Sequence, residues 1–315
     1  MLFQKREAQR DRRVLVHGLY YCGRMFADFM KGDGWDVHYY PDGGIGNFAA
    51  MAGRLAACDL VYQIGGRLRS GKFLQAAKLL KKEKIVMHWA GSDALDEQKN
   101  MGRKTVEPWI LHNVRHWAVS EWMVREVQAL GVSCELVTIP SSYVPEGPSP
   151  LPSEFSVLVY MPNVGRGSLY GLDQILRVAQ ELPHVPFELV GLLEGRIQNP
   201  PSNLRIHGRI PNLQEFYKRA AVLWRPTRHD GMPSMVFEAL GHGRHVLWTY
   251  PFPGCVQVAC AAEAQAAISQ LHALHQEGRL EVNSTGARVI ADGYLPGTVK
   301  DQVLRRFAAI LEART

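Results

Sequence analysis

Apolar positions along the chain follow two rhythms. Short runs of β-branched and aliphatic residues alternate with longer stretches in which apolar residues recur three or four apart, the pattern of strands joined by helical crossovers. In the first half, 14–17, 35–39, 60–63, 84–88, 116–119 and 134–139 read as strands, and 23–30, 72–82 and 121–130 as helices. Gly131 supplies a stop for the last of these helices. In the second half the strands fall at 156–160, 187–190, 204–207, 221–225 and 244–249, and the helices at 169–182, 213–220, 234–240, 258–276 and 299–313. The prediction is α/β throughout, with parallel sheets.

Between the two halves the composition changes. Pro140, Pro145, Pro148, Pro150 and Pro152 are interspersed with Ser141, Ser142, Gly147, Ser149 and Ser153, which marks a linker. With 315 residues, of which 46% are hydrophobic and 21% charged, the chain is large enough for two domains with a core each. The expected domains are 1–145 and 146–315. Two doubly wound domains would face each other across a central cleft at the carboxyl ends of their strands, where such sheets bind ligands.

Charge and cysteine content narrow the picture less. Lys and Arg number 36 against 30 Asp and Glu, a net charge of +6, which favours phosphates, anionic lipid or nucleic acid without choosing among them. The five cysteines, Cys22, Cys58, Cys134, Cys255 and Cys260, show neither zinc-ribbon nor disulfide-framework spacing and read as free buried thiols. The stretch 1–13 is charged and lacks the apolar run of a signal peptide. A cytoplasmic protein is expected, with attachment to a membrane surface left open.

The sequence has no phosphate-loop motif, no G-x-S-x-G elbow and no H-E-x-x-H helix. Gly44-x-Gly46-x-x-Ala49 imitates a dinucleotide fingerprint, but the strand that follows ends in Gln63 where a ribose-binding acid is required. A dehydrogenase is therefore disfavoured.

The strongest chemical signal follows the strand ending near Trp224. It runs from Arg225 through Arg228, His229, Asp230, Gly231, Met232, Pro233, Ser234 and Met235 to Glu238. A glycine turn enters a helix here, and unpaired N–H groups at a helix start favour a phosphate. Glu238 lies a turn inside, and helical side chains lean back toward the N-terminus, within reach of a sugar hydroxyl. The structural alternative is a helix start capped by Asp230, with Glu238 in an internal salt bridge.

This stretch resembles the retaining GT-B glycosyltransferases, particularly the large family 4 group, whose acid-x7-acid motif appears here as Asp230-Gly231 through Glu238-Ala239, followed by Gly243 and a strand. The first acid is Asp where the family typically has Glu. The resemblance implies two Rossmann-like domains, with Asp230 at the donor sugar and Glu238 at the ribose. Gly231, Met232, Pro233, Ser234 and Met235 would serve sugar or phosphates through backbone donors. The family also places Arg and Lys after the first strand of the second domain. Here Arg166 matches the former, while Tyr170 stands in place of the Lys, leaving Arg225 or Arg228 to supply that charge. The alternative for 164–171 is a flexible loop with a solvated Arg.

In the first domain, His88-Trp-Ala-Gly-Ser92-Asp93 ends a strand and looks like an acceptor-side segment of some bacterial GT-B enzymes. His88, Ser92 and Asp93 are candidates there; a core histidine and an ordinary helix start are the alternatives. Gly18, Gly23 and Arg24 lie on the first strand–helix turn, which the resemblance places near the donor diphosphate.

The expected activity is transfer of a hexose, with retention, from a nucleotide-diphosphate sugar, UDP or GDP, in glycan or glycoconjugate biosynthesis. The acceptor is expected to be a saccharide, a lipid-linked sugar or a small molecule. No cofactor is expected, and with no Asp-x-Asp pair in the chain, cations and helix dipole would replace a metal. The architecture also implies a last helix that crosses back to the first domain. Two alternatives are a non-catalytic relative acting as a binding or regulatory subunit, suggested by Tyr170, and a DNA-base-modifying glucosyltransferase, suggested by an isoelectric point of about 9.1.

Overall fold

A computed structural model describes residues 10–41, 48–100, 106–141 and 143–313. The chain divides into two compact units, Met1–Ser142 with Gly297–Thr315, and Tyr143–Pro296. Gly44, Gly46, Ser142 and the start of the 1–13 stretch, all used above, lie outside the described residues.

The first unit runs β1 (Arg12–Gly18), α1 (Tyr20–Met30), β2 (Trp35–Tyr40), α2 (Phe48–Ala57), β3 (Leu60–Ile64), α3 (Lys72–Leu79), β4 (Ile85–Trp89), α4 (Ser92–Asn100), α5 (Pro108–Asn113), β5 (Arg115–Ala118), α6 (Glu121–Ala129) and β6 (Cys134–Leu136). Its sheet has the order β2-β1-β3-β4-β5-β6, and each neighbouring pair runs parallel. Helices cover both faces of such a sheet, so β3 and β4 are buried along their whole length and read as unbroken apolar runs.

The second unit runs β7 (Val157–Tyr160), α7 (Gly167–Tyr170), α8 (Leu172–Glu181), β8 (Phe187–Val190), β9 (Leu204–Ile206), α9 (Gln214–Arg219), β10 (Val222–Arg225), α10 (Ser234–Gly241), β11 (His245–Trp248), β12 (Cys255–Gln257), α11 (Ala261–Gln276) and α12 (Ser284–Gly293). Its order, β12-β11-β10-β7-β8-β9, is again parallel. The helix expected at 169–182 is broken at Gly171, whose φ of +70° ends α7 before α8 starts. The α2, α5 and α12 helices and the edge strand β12 were not expected. The sequence of α12, STGARVIADG, has the Ser, Thr and Gly content of a loop, and it becomes a helix where Asn283 caps it by accepting from Gly286 N–H.

The last helix, α13 (Pro296–Glu312), completes the first unit. Val299, Val303, Leu304, Phe307 and Ile310 enter the core around β1, β2 and β3. The Phe307 ring stacks on Trp117 with centroids 5.7 Å apart and meets Tyr62 edge-on at 5.2 Å. Arg12 and Glu312, at the two ends of this unit, pair at 3.1 Å. Among the described residues no helix is long and apolar enough to cross a membrane. The five thiols are free, with Cys58 and Cys134 buried and Cys22 and Cys260 exposed, so burial holds for only part of the set.

Phe307 is fully buried, and truncating such a ring costs about 3–5 kcal/mol. Phe307→Ala is therefore expected to lower the urea midpoint of unfolding relative to the wild type, followed by circular dichroism.

Candidate functional site

Strand order reverses twice in this chain, between β1 and β3 in the first unit and between β10 and β7 in the second. At such a reversal the connections leave in opposite directions and open a crevice at the carboxyl ends of the two strands. Every site residue expected from the sequence belongs to a segment at or next to one of these crevices.

In the second unit the connections after β7 and β10 touch. Arg228 N–H donates to the Leu169 carbonyl at 2.8 Å, and a Cβ at Gly171 would stand 2.3 Å from the Pro226 carbonyl oxygen, so only glycine fits. Helix α10 then begins after Pro233 with no side-chain cap and no acid in its first turn. Its leading N–H groups, at Ser234 and Met235, keep the partial positive charge of a helix start. Arg166 ends a 3-10 turn, Val164–Arg166; its side chain is exposed and pairs with no acid among the described residues.

Asp230 does not cap α10. Its Oδ2 accepts from Arg225 Nε at 2.5 Å and from Thr227 Oγ1 at 3.0 Å, and its Oδ1 accepts from Gly231 N–H at 3.1 Å. The Asp230 N–H in turn donates to the Tyr250 hydroxyl at 3.2 Å. Arg225 is buried, with its guanidinium 5.7 Å from the Tyr160 ring and 5.6 Å from the Tyr170 ring. Burial acts to lower the Arg225 pKa, but the Asp230 carboxylate outweighs it and the net shift is upward, so the group remains a cation. Tyr170, standing where the resemblance calls for Lys, thus provides a π-face for a neighbouring Arg. Arg228 pairs with Asp173 at 2.7 Å, and both side chains are well exposed.

Gly231 and Met235 are buried, Met232 and Pro233 half-buried, and Ser234 exposed. Glu238 is half-buried beside Tyr217, whose phenol is pushed well above its usual value by burial and then by the Glu238 charge. Sequence reasoning missed Tyr160, Thr227, Tyr217 and Tyr250; Tyr160, the last residue of β7, was the one with a positional signal.

In the first unit the crevice is a cavity of about 710 Å³ whose lining includes Gly18, Tyr20, Tyr39, Gly66, Arg67 and Asp93. Gly18 has φ +108°, and a Cβ there would lie 1.9 Å from the Ile64 carbonyl oxygen, which keeps β1 tight against β3. Gly23 is buried against Tyr39, and Arg24 reaches the Tyr20 hydroxyl at 3.2 Å.

Two first-unit candidates take structural places. His88 is fully buried in β4. Its Nε2 donates to the Val137 carbonyl at 2.7 Å, and its Nδ1 accepts from the Tyr62 hydroxyl at 2.5 Å. Burial lowers its pKa to about 3, so the ring is neutral and faces the core, not an acceptor. Asp93, in the first turn of α4, which Ser92 opens, accepts from the N–H groups of Gly66, Ala90, Gly91 and Ala94 at 2.5 to 3.1 Å. Burial raises its pKa against the pull of those N–H groups. The carboxylate thus fastens the turn after β3 to the turn after β4. Arg67 and the Arg69–Glu97 pair in the same cavity were not singled out by sequence; the Gly65-Gly66-Arg67 turn at a strand end was the available signal.

No protein-family model matches the sequence, and no curated protein does. Solved structures do. Sucrose-phosphate synthase from Thermosynechococcus elongatus superposes with a TM-score of 0.72 at 12% identity, over 96% of this chain and 100% of that one. A glycosyltransferase from Rickettsia africae ESF-5 gives 0.65 at 11% identity, over 96% and 100%. The pneumococcal O-GlcNAc transferase GtfA, solved with UDP and GlcNAc, gives 0.61 at 14% identity over 84% of this chain, which spans only 60% of GtfA. At these identities the likeness is one of fold. The chain has the two Rossmann-like units of the GT-B architecture.

A pH dependence follows from the buried histidines. The pKa values of His88 and His116 fall to about 3 and about 4 from 6.5, chiefly through burial. The unfolded chain therefore binds protons first, and their contribution to stability is complete above about pH 6.5 and lost as pH falls toward the folded values. Each group adds a slope approaching about 1.4 kcal/mol per pH unit in that window. Urea midpoints are expected to drop steadily from about pH 6.5 to about pH 4.5.

Proposed function

We propose that this chain is a glycosyltransferase that moves a sugar from a nucleotide-diphosphate donor, UDP- or GDP-linked, to an acceptor, with retention of configuration. The observation that carries this reading is the β7/β10 crevice. There the uncapped start of α10, the exposed Arg166 and Glu238 belong to the two strand–helix connections whose loops touch. The fold neighbours support it in kind, since several are glycosyltransferases and two were solved with UDP.

On this reading the second unit, Tyr143–Pro296, holds the donor and the first unit, Met1–Ser142 with Gly297–Thr315, the acceptor. Charge builds on the diphosphate as the glycosidic bond breaks. The Ser234 and Met235 N–H groups and Arg166 stabilise it, and preorganised donors of this kind usually form the largest single catalytic contribution. No metal is required for that step. Glu238 takes a ribose hydroxyl. Asp230, held by Arg225 and Thr227, fixes the 226–233 loop and presents its edge to the donor sugar. Arg225 adds positive potential from below, and Arg228 can exchange Asp173 for phosphate at little cost because an exposed pair contributes only about 0–1 kcal/mol. Gly18 keeps the backbone low at the first crevice. Asp93 shapes the acceptor side by joining two turns, and His88 supports β4 beneath it.

A second reading, a nucleotide-sugar-binding protein without turnover, draws on Tyr170 in place of Lys and on the internal pairing of Arg225.

Thermal-shift and donor-hydrolysis measurements with UDP, GDP and their glucose conjugates test both. A nucleotide at a hundred times its dissociation constant should stabilise the chain by about 2.7 kcal/mol. Glu238→Ala is expected to remove that shift, and Arg166→Ala to reduce hydrolysis by about 10²-fold. A shift without hydrolysis or transfer selects the second reading; no shift from any nucleotide overturns both.

A further inference from the structure

The first-unit cavity carries a charge arrangement that the donor site does not explain. Arg67 follows the Gly65-Gly66 turn after β3, and its guanidinium lies over Gly71, with Nη1 2.7 Å from the position a Cβ would take there. Gly71 is the N-cap of α3, which has no side-chain cap and no acid in its first turn. A full positive charge is thus set against the positive end of a helix. The start of α1, at Leu19 and Tyr20 on the lining of the same cavity, is also uncapped and free of acids.

Two of the three carboxylates that line the cavity are engaged elsewhere. Asp93 is taken up by four backbone N–H groups. Glu97 accepts both contacts of Arg69, at 3.0 and 3.2 Å. Glu107, outside the lining, binds Ser70 N–H at 2.9 Å and Lys78 at 3.0 Å. Asp96, the third lining carboxylate, is exposed and forms no ion pair among the described residues. Arg67 pairs with no acid among them either. Beside this cation the cavity offers two aromatic rings, Tyr39 and the exposed Tyr20, whose centroids are 5.9 Å apart. A guanidinium that lines a roomy cavity next to a second positive feature, and that forms no ion pair among the described residues, is arranged for an external oxyanion.

We propose that this cavity binds an anionic sugar, one bearing a phosphate or a carboxylate, with the oxyanion on Arg67 and the start of α3 and the sugar ring against Tyr20. That this ligand is the acceptor rests on the glycosyl-transfer reading; the anion site does not.

Calorimetric titration at low salt with glucose 6-phosphate, glucuronate and glucose tests the site, and the two acids distinguish phosphate from carboxylate. One of the anionic sugars is expected to bind the wild type more tightly than glucose. Arg67→Gln should weaken it by about tenfold, the scale of one charge-assisted hydrogen bond, and Arg67→Lys by less. Gly71 has φ −75° and ψ 175°, a conformation open to Asp, so Gly71→Asp would place an internal carboxylate at the helix start beside Arg67. That variant should lose the anionic sugar while its melting temperature rises, a combination that misfolding cannot produce. Equal binding of anionic and neutral sugars, no binding of either, or unchanged affinity in Arg67→Gln overturns the proposal. UDP titrated into the same samples separates the two ideas. UDP binding without anionic-sugar binding sinks this site alone, whereas anionic-sugar binding without any nucleotide supports the site and removes the transferase reading.

Discussion

The chemistry available to this chain depends on one topological constraint, the reversal of strand order in a parallel sheet. A parallel pair needs a crossover, and crossovers in successive units have the same hand. When the chain leaves β1 for β2 and then returns to lay β3 on the other side of β1, the loops after β1 and β3 separate to opposite faces. The space left between them is the first crevice. The second sheet repeats this at β7 and β10. Glycines at Gly18 and Gly171 allow backbone to pass against backbone at the two reversals, where any side chain would collide with a carbonyl oxygen.

Around both reversals, carboxylates serve mainly to hold loops. Asp93 gathers N–H groups from two turns, and Asp230 gathers Arg225, Thr227 and Gly231. Each is a short side chain that converts loose backbone into a fixed platform, because an acceptor serving several donors removes the freedom of each of them. Cationic and dipolar groups remain for a ligand: the starts of α10 and α3, Arg166 and Arg67. The division suits substrates rich in phosphate. It also changes the weight given to the acids of the sequence motif, since Asp230 comes to its site already paired, while Glu238 one turn into α10 is half-buried beside Tyr217.

Legibility varied with the range of the interaction involved. Strands β3, β4, β8 and β10 are buried along their length, and such runs stand out in any apolar profile. The edge strand β12, with Val256 and Gln257 exposed, lacked that signature, and α12 was hidden by its loop-like residues. The segment from Arg225 to Glu238 was recognisable because one turn and one helix start carry it, all within fourteen residues of sequence. His88 shows the opposite case. A histidine closing an apolar strand looks the same whether it faces a cleft or the core, and its partners, Tyr62 and Val137, are 26 and 49 residues away.

Legible in the amino-acid order alone were the α/β class, the two-part organisation around the proline-rich break, and the turn-to-helix segment from Arg225 to Glu238. Each of these follows from periodicity or residue choice within about one element's length. Which charged groups find a partner inside the protein is settled by long-range packing. Asp93 meets Gly66 across 27 residues, Glu97 meets Arg69 across 28, and Arg12 meets Glu312 across 300. It likewise placed Phe307 in the core of a unit whose other residues end at Ser142. A side chain's burial and its partner depend on which distant segments the fold brings together, and no local pattern encodes that.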